Sequence, residues 1–211
     1  MARKNVEKAL NNRVMTLAAQ DGYFPLKDYT CAKDFDEHTK CYLSSYLTDR
    51  KPPYAVFAEM TCEYLAATQI MVDFCQTNKI HTYQPLRVGI SSHLEHHTTH
   101  KTVQRVSDEN IGPVADELYE RFKEGVEKYI KPRINQAHVV EEYLTQRHWK
   151  WPVATVYQCC ITVVSFGLLK KEPAIMKKGI ARAFEILDRP NYSQFDREFI
   201  ESLGNAIDKN F

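Results

Sequence analysis

Residues 54–76 read Tyr54-Ala55-Val56-Phe57-Ala58-Glu59-Met60-Thr61-Cys62-Glu63-Tyr64-Leu65-Ala66-Ala67-Thr68-Gln69-Ile70-Met71-Val72-Asp73-Phe74-Cys75-Gln76. Phe57, Met60, Tyr64, Ala67, Met71 and Phe74 recur at intervals of three and four, the spacing that stacks side chains along one face of a helix. Read this way, the stretch is one long helix forming the seam of a packed bundle. Lys51-Pro52-Pro53 breaks the chain just before it. Glu59 and Glu63 then fall one turn apart on its flank. Paired carboxylates can hold metals or move protons, but on a helix side they are more commonly solvated neighbours.

Moving toward the C-terminus, residues 77–91 hold Pro85 and Gly89 and show no helical period. Leu86 to Ile90 reads as a short strand or a connector, and if the protein has a moving part it is expected in this stretch. It leads into Ser92-His93-Leu94-Glu95-His96-His97-Thr98-Thr99-His100, which holds four of the eight histidines. Ser92 with Glu95 fits a capping box at a helix start. On such a helix His93, His96, His97 and His100 share one face, as two pairs spaced i, i+4. That spacing lets two imidazoles reach one divalent metal such as zinc, with further ligands needed from elsewhere. His138 and Glu142, one turn apart, are chemically suited to complete the site, as are His81 and His148. The plainer reading is a solvated polar face that titrates near neutral pH.

Moving toward the N-terminus, residues 33–48 are expected to form a helix that buries Phe35, Tyr42, Leu43, Tyr46 and Leu47. The group Asp34, Asp36, Glu37 and His38 at its start has a metal-like look, but acids in a first turn also suit the helix dipole. Residues 3–20 read as a helix with Val6, Leu10, Val14 and Leu17 inward, stopped by Asp21-Gly22.

Besides an apolar central one, four more helices are expected downstream of the histidines. The first begins near Pro113 and the next covers 133–148, with Ile134, Ala137, Val140 and Leu144 inward. Residues 173–188 form a third, and the last closes the chain with Phe199, Leu203 and Ile207. Between them lies Pro152 to Leu169, the most apolar run. Trp149 and Trp151 before it and Lys170-Lys171 after it resemble a membrane belt. The run is short and polar for a span, however, since it carries Thr155, Gln158, Thr162 and Ser165. It is read as a central buried helix. The expectation for the whole chain is therefore all-α, a single domain over 1–211 with seven or eight helices around 152–169.

Composition agrees with a folded domain of this size: 44% hydrophobic, 26% charged, net charge +1. Only seven glycines and nine prolines argue against a turn-rich all-β fold. Residues 76–107 carry four basic groups against one acidic, between two stretches that are each net −3. Lys178, Arg182 and Arg189, with Lys171 upstream, line up on one side of their helix as a phosphate-tracking stripe would. An ordinary solvated face would look the same. The six cysteines form no CxxC pair, and the charged start of the chain reads as an amphipathic helix instead of an export segment. Free thiols in a reducing cytoplasm are expected.

The missing motifs narrow the function. The sequence holds no glycine-rich phosphate loop, GxSxG elbow, HExxH, ExxH or zinc-finger spacing. With twelve tyrosines, a residue type enriched at interfaces, the leading expectation is a non-catalytic protein acting through protein contacts, as an assembly subunit or adaptor. A metal-dependent helical-bundle enzyme built on His93 to His100 is the second reading. A nucleic-acid-binding component is the third.

Overall fold

The computed structural model describes residues 2–27, 30–82, 85–96, 104–146, 155–187 and 194–211. In chain order the elements begin with α1 (Arg3–Gln20), β1 (Phe24–Pro25), β2 (Cys31–Asp34), β3 (Thr39–Leu47), β4 (Tyr54–Tyr64), α2 (Leu65–Thr77), β5 (Gly89–His93) and β6 (Arg105–Val106). There follow α3 (Ile111–Gly125), α4 (Gln136–Thr145), α5 (Val156–Lys170), α6 (Pro173–Leu187) and α7 (Gln194–Asn210). The chain divides into two compact units, Met1–Cys62 with Ser91–Ile134, and Glu63–Ile90 with Asn135–Phe211.

The first unit contains most of a six-stranded sheet ordered β1-β2-β3-β4-β5, with β6 beside the start of β4. β2 and β3 form an antiparallel hairpin with Lys33 opposite Cys41 and Cys31 opposite Leu43. β6 pairs antiparallel with β4, Tyr54 opposite Val106. Strand side chains alternate between faces. One face of this sheet holds Cys31, Cys41, Leu43, Leu47, Val56, Met60 and Cys62, each at most 3% exposed. Against it lie α1 and α3. Val6, Leu10, Val14 and Ala18 repeat every fourth residue on α1 and are fully buried. Polar side chains of α1 also satisfy strand backbone. Glu7 accepts from the Leu47 amide at 2.8 Å, Arg3 donates to the Leu47 carbonyl, and Asn11 donates to the Ser45 carbonyl at 3.2 Å. α3 approaches the sheet at Gly125, where a Cβ would stand 2.4 Å from Met60 Sδ. The helix then widens into a π-helical turn, Val126–Ile130.

The second unit is helical around α5, whose packed neighbours include α2, α4, α6 and α7. Thr155 caps α5, accepting from the Gln158 amide at 3.1 Å. Its buried polar residues are satisfied within the helix. Thr162 donates to the Gln158 carbonyl at 2.8 Å, and Ser165 donates to the Ile161 carbonyl at 2.5 Å. α6 comes close at Gly179, where a Cβ would meet Val163 Cγ1 at 2.7 Å. Among the described residues no helix is long and apolar enough to cross a membrane.

The all-α bundle expected from the sequence is therefore wrong. The chain has seven helices among the described residues and also an antiparallel sheet. Residues 54–76 are two elements, a strand to Tyr64 and a helix from Leu65. From Val56 to Cys62 burial alternates strictly residue by residue. The aromatic and β-branched residues Tyr54, Val56, Phe57 and Thr61 suit a strand. The three-four spacing of Phe57, Met60 and Tyr64 is coincidental, since Met60 faces inward and Phe57 faces the other way. Residues 33–48 are likewise two strands, and Asp36, Glu37 and His38 form the hairpin turn between them. There the His38 amide donates to Asp36 at 2.8 Å. Ser92 opens no helix: β5 runs on through His93, and a single 3-10 turn covers Leu94–His96.

Candidate interaction face

The sheet face turned away from α1 and α3 carries Lys40, Tyr42, Ser44 and Tyr46 of β3, and Phe57, Glu59 and Thr61 of β4. Pairing beyond β3, from the Thr48 amide to the Ala55 carbonyl at 2.9 Å, sets Tyr46 beside Phe57. Their rings stack with centroids 5.4 Å apart and planes at 27°. On the far side of Phe57 the His93 ring of β5 meets it edge-on, at 4.8 Å and 85°. His96 follows at 5.9 Å from His93. Tyr46, Phe57 and His93 thus form a row across three adjacent strands. Tyr46, one residue from the end of β3, is 43% exposed. At the edge of the same face the Lys40 ammonium lies over the Phe24 ring and pairs with Asp34 at 3.2 Å.

Charge on this face is nearly balanced, with one negative group in excess. Lys40 is paired with Asp34, Glu59 adds one negative charge, and Arg105 at the strand end is tied to Asp49 at 2.9 Å. A surface that tracks phosphates needs an excess of positive groups, which this one lacks.

The residues singled out from the sequence are only partly gathered. His93 and His96 come together, while His97 and His100 lie outside the described residues. His93 is half-buried, and its Nδ1 is buried with no hydrogen-bond partner. His138 and Glu142 approach to 3.7 Å on α4 in the second unit, with Glu142 buried. Among the described residues no group of three or more His, Cys, Asp or Glu side chains is placed to hold one metal ion. Of the basic stripe, Arg189 is outside the described residues and Lys171 caps α5 in a left-handed conformation. Lys178 is exposed on α6. Arg182 is committed internally, donating to the Gln146 carbonyl at 3.0 Å and pairing with Glu185 at 2.5 Å. Glu59 and Glu63, expected on one helix flank, sit on a strand. Glu63 is buried and accepts from Thr68 at 3.3 Å.

All six cysteines are buried and none is in a disulfide. Burial pushes the Cys31 thiol up to about 12 and Cys75 to about 11. Cys41, Cys159 and Cys160 are raised further for the same reason. Burial therefore disfavours these five as nucleophiles at neutral pH, because the reactive species is the thiolate.

Sequence reasoning missed Tyr46 and Phe57 as surface groups, having placed both on buried helix faces. The available signal was the alternation Tyr42, Ser44, Tyr46, a period of two inside a segment read at 3.6. The chain matches no family model, no curated protein and no solved structure.

Proposed function

We propose that this is a non-catalytic protein of the reducing cytoplasm, acting through protein contacts as an assembly subunit or adaptor, and that the outer sheet face of the first unit is its contact surface. The observation that carries this reading is the Tyr46–Phe57–His93 row, in which an exposed Tyr46 ring stacks on Phe57 and His93 meets Phe57 edge-on. Exposed aromatics with nearly balanced charge are what protein interfaces select, since they bury much area at little entropic cost. The six buried cysteines, none of them in a disulfide, support the reducing compartment. Near balance of charge favours a protein partner over nucleic acid.

The test is a photo-reactive amino acid introduced at Tyr46, with the same group at Lys178 as a control, irradiated in the protein's native cells. The expected result is a discrete crosslinked protein from Tyr46 that disappears when Phe57→Ser is added. No Tyr46-specific adduct, together with sedimentation as a monomer at all concentrations, contradicts the proposal.

A further inference from the structure

The second unit holds an open groove that the outer sheet face does not involve. It has a volume of about 610 Å³ and runs between α4 and α6 over Phe166 of α5. Its floor is apolar, with Val140 buried and Leu144, Phe166 and Ile175 half-buried. Its rims are exposed, and at Ala137 of α4 and Ala181 of α6 they are small. Small side chains on a rim let another helix come close, because the distance between packed helices is set by the residues at the contact.

Four charged side chains line the groove, two of each sign. Arg182 and Glu185 are used within the chain, paired with each other at 2.5 Å. Arg182 also ties the walls together, donating to the Gln146 carbonyl at 3.0 Å. The other two, Glu141 on α4 and Lys178 on α6, are exposed. Neither has an opposite charge within ion-pair distance among the described residues. Each stands about one turn before the Arg182–Gln146 tie. Both line the groove, so they stand at one level on facing rims. One rim offers a free carboxylate and the other a free ammonium.

We infer that two copies of this chain associate through this groove, about a two-fold axis running along it, with α4 of each copy laid on α6 of the other. Charge complementarity selects this occupant. A two-fold contact is made twice: where Glu141 meets the partner's Lys178, Lys178 meets the partner's Glu141. A face with one free charge of each sign on opposite rims is complementary to itself in that arrangement. A two-fold axis across the groove would put α4 on α4 and bring like charges together. A purely acidic or basic partner satisfies one rim and is repelled by the other. Nucleic acid needs an excess of cations, which the neutral lining lacks.

The measurement is sedimentation of the full chain over a range of concentrations. The expected result is a reversible monomer–dimer equilibrium. Glu141→Lys and Lys178→Glu each weaken the dimer by about thirtyfold, since each variant loses two ion pairs and gains two like-charge contacts. Both positions are exposed, and circular dichroism checks that the variants fold. An equimolar mixture of the two variants dimerises as the wild-type chain does, because one contact is then the native pair and the other is the pair with both charges reversed. The outer sheet face is tested apart from this, by crosslinking at Tyr46 in the Glu141→Lys background, where this dimer is broken. A wild-type chain that stays monomeric at every concentration leaves the groove to a helix of another protein or to nothing. A dimer indifferent to both variants forms elsewhere on the surface. Variants that stay monomeric when mixed show a contact within one chain. Each of these three results overturns the inference.

Discussion

Cys41 shows how the inner face of the sheet works at the scale of one residue. It lies opposite Lys33, hydrogen-bonds with the Tyr23 hydroxyl, and is fully buried. Burial disfavours its thiolate, and likewise the ionised forms of Tyr23, Tyr119, Cys31 and Cys160. Each of these acids holds its proton more tightly in the folded chain than in the unfolded one. Stability from this source is complete below the unfolded thiol pKa, near 8.5, and declines as pH rises above it. For Cys31 the loss continues until its folded value of about 12 is passed. Tyrosines add to it above about 10. A buried thiol such as Cys160 contributes at most about 1.4 kcal/mol per pH unit. Urea midpoints measured from pH 7 to 10.5 should be flat to about 8 and then fall. A midpoint that holds or rises toward pH 10.5 would show that these groups are not buried as described.

Two glycines carry the same logic at the scale of an element. Gly179 lets α6 approach the β-branched Val163 of α5, so Gly179→Ala forces a contact at 2.7 Å against a stiff side chain. Overpacking of this kind costs about 1–3 kcal/mol and outweighs the better helix propensity of alanine. Gly112, in the first turn of α3, has nothing within 4 Å of an added Cβ. There Gly112→Ala should gain up to about 1 kcal/mol. Thermal or urea unfolding of the two variants should move in opposite directions. The same scale explains what was legible in the sequence. α1, α6 and α7 have one apolar stripe each and no competing period, so α1 and α6 were read nearly to the residue and α7 was placed by its stripe. α5 was legible from its apolar length. β3 and β4 were not, because buried aromatics and small residues in strands of nine and eleven residues satisfy both periods over short windows. What decides between them is the partner strand, and β4 has β6 from fifty residues downstream. The His stretch failed for a similar reason: a capping-box pattern at Ser92 was outweighed by pairing of β5 in the sheet.

Over the whole molecule, the near-zero net charge gave no direction to function, and the proposed reading rests on the placement of groups on the sheet. The inner face is a hydrophobic core closed by α1 and α3, and the outer face keeps a stacked aromatic row. The histidines that drew most notice in the sequence enter this picture through His93, as the end of that row. None of this exists if residues 54–64 are helical, since Phe57 would then leave both Tyr46 and His93. The most direct test is backbone NMR over 31–64. Strand-like Cα and Cβ shifts from Tyr54 to Tyr64, with cross-strand contacts for Lys33–Cys41 and Tyr54–Val106, are the result expected. Continuous helical shifts from Tyr54 to Gln76, without those contacts, would contradict the fold and the interaction face together.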